Sequence, residues 1–237
     1  MPDPTILAFD TSGTHCAAAL LMGGKVVASR HEEMKRGQAE RLFPMLDEVM
    51  GKVGAVWEEL DAIGVGVGPG NFTGIRISVS AARGLALSLG KPAIGVNTFD
   101  VNFEMVNRPP GRAAAAVPGP RQGVYVQIFQ DGLPEGAPLL EPAETLPNAP
   151  WNRSIETLIG SGEDRFCQSL AIDLGAANPS NTPKALPLPY PTEFTPTLAR
   201  IAADRLETSS NHPRPAPLYI RPPDAAPRRD PPIKILP

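Results

Sequence analysis

A chain of 237 residues, 42 % apolar and 20 % charged, has the make-up of a globular protein and the length for one large domain or two lobes of roughly 100 residues each. The net charge of −3 excludes a surface that attracts nucleic acid as a whole. Two distant cysteines, Cys16 and Cys167, without a CxxC, exclude a zinc site or a disulfide framework and fit a reducing compartment. The amino terminus has no signal-peptide pattern, and no run approaches the ~20 apolar residues of a membrane span, so a soluble, cytoplasmic protein is expected.

Thr5–Asp10 predicts a strand that ends in the turn cluster Asp10-Thr11-Ser12-Gly13. His15–Met22 predicts a second strand, and Gly23-Gly24 a hairpin into a third, Lys25–His31. Leu42, Met45, Leu46, Val49 and Met50 have helical spacing. Pro44 among them implies either a helix start near Arg41 or a kink. Asp61–Gly68 reads as a buried strand, followed by the loop Gly68-Pro69-Gly70-Asn71. The clearest helix runs from about Thr73 to Leu89, with Ile75, Val79, Ala82, Ala86 and Leu89 in one apolar stripe. Asn71 or Thr73 caps its start and Gly90 ends it. Ala93–Val96 is a further strand, which makes a βββαβα lobe of residues 1–98.

Only five of the 29 prolines precede residue 101, so the later part must have shorter elements and longer connections. Gly123–Gln130 predicts a strand, Leu158-Ile159 another, and Pro196–Glu207 a helix with Leu198, Ile201, Ala202 and Leu206 inward. The expected division is a second lobe over 99–211 and a proline-rich tail over 212–237, with five basic and two acidic residues between Arg214 and Lys234.

Three motifs carry candidate chemistry. In Asp10-Thr11-Ser12-Gly13-Thr14, an acidic residue, hydroxyls and loop amides at a strand end suit a metal-phosphate group. The same residues suit a plain turn closed by side-chain hydrogen bonds. The run Gly66–Arg76 enters a helix through glycines, so its amides and helix dipole form an anion site in principle. Equally, Gly68 and Gly70 allow a tight turn while Phe72 plugs the core. Arg76, Ser80, Arg83, Gly84 and Leu87 share a helix face on which small Ser80 and Gly84 admit a neighbouring helix. The bland reading is a solvated face, but glycine in a helix costs ~1 kcal/mol relative to alanine, which suggests a use for it. The three histidines are scattered and there is no HxxxH, HExxH or GxSxG, so neither a histidine metal site nor a nucleophile–base pair is legible.

ILAFDTSG, RGQAERLFPML and LDAIGVGVGPGNFTGIRISVSAARGLALSLGKPAIGV are very similar to the TsaB (YeaZ) family over residues 5–98. VYVQIF, LIGSGEDRF and PAPLYIRPPDAAP continue the resemblance more thinly. It implies an α/β fold of the actin-like ATPase (ASKHA) type with two lobes, the second reduced. It also implies a non-catalytic scaffold subunit acting with the catalytic TsaD and the ATPase TsaE. Together these put threonylcarbamoyl on the adenine beside the anticodon of ANN-decoding tRNAs. The first two helices, here about 38–51 and 73–90, would contact TsaD, or a second copy in a homodimer when TsaD is absent. Arg41, Met45, Arg76, Ser80, Arg83, Gly84 and Leu87 are the expected interface residues. Asp10, Thr11, Ser12, Gly68 and Gly70 would be degenerate phosphate-loop positions. No cofactor is expected, a nucleotide having a place only at the junction of the complex, and tRNA is reached through the complex. The chain departs from the family at Gln38, where histidine is frequent, and at Pro118-Gly119-Pro120-Arg121, where an acidic, arginine-bearing turn is frequent. Its second half has no second DxGT-type loop. The alternatives are a small-molecule kinase of the same superfamily, using Asp10 on magnesium-ATP, or a glycoprotease-like peptidase.

Overall fold

The computed structural model describes residues 3–160, 166–177, 182–189 and 191–220. Five strands form the first sheet: β1 (Ile6–Asp10), β2 (His15–Met22), β3 (Lys25–Glu33), β4 (Ala62–Gly66) and β5 (Ala93–Val96), in the order β3-β2-β1-β4-β5. β1 lies between antiparallel β2 and parallel β4, buried on both faces, which is why it reads as an unbroken apolar run. Its side chains alternate. Leu7 and Phe9 join the core under helices α1 (Gln38–Gly51) and α2 (Phe72–Leu89), while Ile6 and Ala8 face the other way.

The second sheet repeats the first. β6 (Arg112–Pro118), β7 (Gly123–Gln130), β8 (Leu133–Pro142), β9 (Thr157–Gly160) and β10 (Lys184–Pro187) stand in the order β10-β9-β6-β7-β8. β7 runs antiparallel to both β6 and β8, and β9 runs parallel to both β6 and β10, as β4 does to β1 and β5. The second lobe therefore keeps a complete sheet, and its reduction is in helix. Where the first lobe has α1, the second has two short 3-10 stretches, Ala143–Asn148 and Pro150–Ser154. Where α2 has 18 residues, the corresponding α4 (Phe166–Ala177) has 12.

The unforeseen elements have physical reasons. β6 contains the run Ala113–Ala116, weak in strand propensity, and forms because both its neighbours and its burial recruit it. β8 carries Pro134, Pro138 and Pro142, tolerable because it is the sheet edge. α3 (Thr98–Met105) lies between the lobes, stacking Phe103 on Phe129 of β7 at 4.2 Å.

α5 (Phe194–Thr208) falls within the stretch expected to form the second lobe, yet it packs on the first sheet. Leu198, Ala199 and Ala202 close the face that Ile6, Ala8 and Ala62 open. Gly64 permits the approach, since a Cβ there would stand 3.1 Å from both Leu198 Cδ2 and Ala202 Cβ. The following chain also returns to the first lobe, where the Leu218 amide donates to the Val67 carbonyl. Of the expected tail, residues 221–237 lie outside the described residues, as do residues 161–165 of LIGSGEDRF.

Candidate functional site

β1 delivers Asp10 fully buried to the sheet end. Its Oδ2 accepts from the Ser12 amide (2.9 Å), the Ser12 hydroxyl (2.9 Å) and His15 Nε2 (2.8 Å). Its Oδ1 has no hydrogen-bond partner and lies over Gly66, where a Cβ would stand 1.8 Å away. Thr11 Oγ1 donates to the Gly74 carbonyl (2.7 Å), and the Ser12 carbonyl accepts from the Asn71 amide (2.6 Å). The two glycine-bearing loops therefore close on each other.

Gly68 has φ +88°, a conformation that suits glycine. Gly70 does not have a left-handed φ; its need is space, because a Cβ would stand 2.3 Å from the Ser12 carbonyl oxygen. Asn71 caps α2 through Oδ1, which accepts from the Thr73 and Gly74 amides (3.0 Å each). Asp10, Thr11, Ser12, Gly68 and Gly70 are thus brought together. Asp10 Oδ2 has three donors and Oδ1 none, while the Thr73 and Gly74 amides bond to Asn71 Oδ1 and the Asn71 amide to the Ser12 carbonyl. Phe72 does not plug the core: it is 41 % exposed, with the Arg76 guanidinium 3.7 Å from its ring centroid.

On α2, Arg76, Ser80, Arg83, Gly84 and Leu87 are all exposed, Leu87 to 82 %. A Cβ on Gly84 would meet nothing within 4 Å. Arg76 is partly engaged, its Nε donating to the Tyr219 hydroxyl (2.9 Å). On α1 the expected interface needs correction. Met45 is fully buried with Leu42, Leu46, Val49 and Met50, because it belongs to the inward stripe. The outward apolar residue is Phe43, 46 % exposed, legible as the apolar position opposite that stripe. Arg41 is turned inward to carboxylates, Nε and Nη2 donating to Glu32 and Nη1 and Nη2 to Glu48 at 2.7–2.8 Å. Its hydrogen bond, with that of Arg30, pulls the Glu32 carboxyl down to about 2. α1 itself begins at Gln38, with Pro44 inside it on the exposed side.

A family model described as tRNA N6-adenosine threonylcarbamoyltransferase (TsaD) matches residues 24–146, just over half of the chain. The tRNA threonylcarbamoyladenosine biosynthesis protein TsaB of Haemophilus influenzae is 37 % identical over 99 residues, 42 % of each chain. That of Escherichia coli is 35 % identical over 127 residues, 53 % of this chain and 54 % of its own. The solved structure of YeaZ from Pseudomonas aeruginosa covers 91 % of this chain and 99 % of its own, with 29 % identity and a TM-score of 0.66.

The chain belongs to the TsaB (YeaZ) family.

The alignments span about half the length of these curated TsaB relatives, whereas the YeaZ structure is matched along nearly its whole length. The two-lobe architecture is the actin-like one. The loop before α2 and the outward face of α2 fall within the residues 24–146 that the family model matches. Cys16, deep in β2, is buried, and that burial raises its thiol to about 11, as for an unreactive core cysteine.

Proposed function

We propose that this chain is a non-catalytic subunit in the formation of threonylcarbamoyladenosine on tRNA. It acts in the cytoplasm, where it holds a TsaD-like catalytic subunit and, through it, a TsaE-like ATPase and the ANN-decoding tRNA. The observation that carries this reading is the outward face of α2. Arg83, Gly84 and Leu87 form an exposed basic, small and apolar row whose glycine leaves room for a partner backbone. With TsaD absent, the same face would pair two copies of this chain. The closed loops support the non-catalytic part, since the carboxylate a kinase would aim at magnesium is held by Ser12 and His15. A net charge of −3 fits a subunit that leaves tRNA to its partners.

The test is reconstitution. TsaD-like and TsaE-like proteins, tRNA and the threonylcarbamoyl donor should modify tRNA only when this chain is added. The chain alone should hydrolyse no ATP. ATP turnover by the isolated chain that disappears in Asp10→Ala would overturn the scaffold reading in favour of a kinase-like enzyme.

A further inference from the structure

Tyr219 follows α5 near the end of the described chain, yet it stands against the start of α2. The backbone around it explains why. A Cβ on Gly95 would stand 3.3 Å from Pro215, the Leu218 amide donates to the Val67 carbonyl, and Leu218 packs on the core of the first lobe. Tyr219 is thereby set beside Phe72, with ring centroids 5.3 Å apart and both rings exposed. Exposed aromatic rings beside an arginine are the residue types that anchor protein contacts.

Arg76 completes the group. Its guanidinium lies 3.7 Å from the Phe72 ring centroid, and its Nε donates to the Tyr219 hydroxyl (2.9 Å). Its two terminal nitrogens, Nη1 and Nη2, make no hydrogen bond or ion pair with the described residues. Other arginines meet carboxylates of their own chain: Arg41 meets Glu32 and Glu48, Arg108 meets Glu104, and Arg205 meets Asp100. Arg76 is held instead by two uncharged rings, and α2 contains no Asp or Glu. Stacking and the hydrogen bond fix the guanidinium before any partner arrives, which lowers the entropy lost on binding. The end left open is the planar fork of Nη1 and Nη2, whose shape matches the two oxygens of a carboxylate.

We propose that Phe72, Arg76 and Tyr219 form a socket for a carboxylate, the Asp or Glu side chain of a TsaD-like subunit, with Tyr219 as the residue that positions Arg76. The proposal rests on the subunit reading and adds the segment after α5 to the partner-binding face. A protein carboxylate suits the socket better than an RNA phosphate. The same face continues, two to three turns on, into Gly84 and exposed Leu87, a small and apolar row that fits a packed protein surface rather than a charged phosphate chain.

The test is calorimetric titration of the full chain with the TsaD-like subunit at low and high salt. Tyr219→Phe keeps the ring and loses the hydroxyl, and should weaken binding about three- to tenfold. Arg76→Gln should weaken it about ten- to a hundredfold and flatten its salt dependence, since the ion pair that salt screens is gone. In the Arg76→Gln background, Tyr219→Phe should cause no further loss, because its effect passes through the arginine. Three results would each overturn the proposal. Both single variants could bind like the parent while Gly84→Leu weakens binding, which would leave the subunit reading intact. The two losses could add in the double variant, which would make Tyr219 a contact or a structural residue of its own. The chain alone could bind tRNA and lose it in Arg76→Gln, which would assign the socket to phosphate. A parent chain that binds no TsaD-like subunit would remove the subunit reading and this proposal with it.

Discussion

A methyl group on Gly74 would stand 1.9 Å from the Thr11 carbonyl oxygen, which is backbone and cannot swing aside. Gly74→Ala should therefore cost about 1–3 kcal/mol or prevent folding, read as a fall in the urea midpoint. Gly70→Val should act alike, through the Ser12 carbonyl rather than through an unusual backbone angle. A partner-binding defect with an unchanged midpoint would sink this account of both glycines. The Arg41 cluster makes a prediction of a different kind. Glu32 has its carboxyl lowered from 4.5 to about 2, by Arg41 first and Arg30 second. A lowered folded-state value stabilises the fold fully above the ordinary carboxylate range, and that contribution is lost as pH falls from about 4.5 towards 2. The pair is partly exposed, so Arg41→Met should cost only about 0.5–1 kcal/mol at pH 7. Urea titrations of both proteins at pH 7 and pH 3 should find the gap narrowing at the lower pH. A gap that widens would mean the arginine acts through packing of its stem.

At the scale of elements, α2 performs two tasks with opposite ends. Its start is anchored: Asn71 caps it and Thr11 grips the Gly74 carbonyl, so Asn71→Ala should cost about 1 kcal/mol of stability. Its outward middle is bare. Gly84→Leu meets open space and replaces a poor helix former, so the monomer should gain up to ~1 kcal/mol. Association should suffer, because backbones packed across a glycine lie within ~8–10 Å and a leucine would hold them apart. Arg83→Glu should weaken the same contact by charge, more strongly at low salt. Sedimentation of the chain, alone and with its TsaD-like partner, checks both. Two variants that associate like the parent would move the contact off this face.

At the scale of the molecule, the first lobe is finished by a helix from the far end of the chain. Ile6, Ala8 and Ala62 have their cover in Leu198, Ala199 and Ala202, about 100 residues beyond β5. A chain ending at residue 98 should therefore lack a cooperative thermal transition, its sheet having one bare apolar face. Leu198→Ala should cost about 2–5 kcal/mol in the intact protein. A sharp melting transition of residues 1–98 alone would contradict this dependence.

The first half was legible because its signals are local. The alternation of β1, the stripe of α2 and its Asn71 and Gly90 caps are all set by residues within a turn or two of each other. The second half hid β6, β8 and β10, since an alanine run and proline-bearing edges become strands only through neighbours that pair with them. The motif residues were found by sequence, but not which way they face. Asp10 closes on Ser12 and His15 within one turn, but the docking of Thr11 on the Gly74 carbonyl and of Ser12 on the Asn71 amide joins loops about 60 residues apart. Phe43 and Met45 are two positions apart on one helix. Helical spacing alone puts one inward and one outward, and the position of the sheet decides which. The sequence by itself determined the local elements and the family. Only the tertiary structure decided that α5 belongs to the first lobe and that the Asp10 loop meets the loop before α2, because each depends on contacts between residues far apart in the chain.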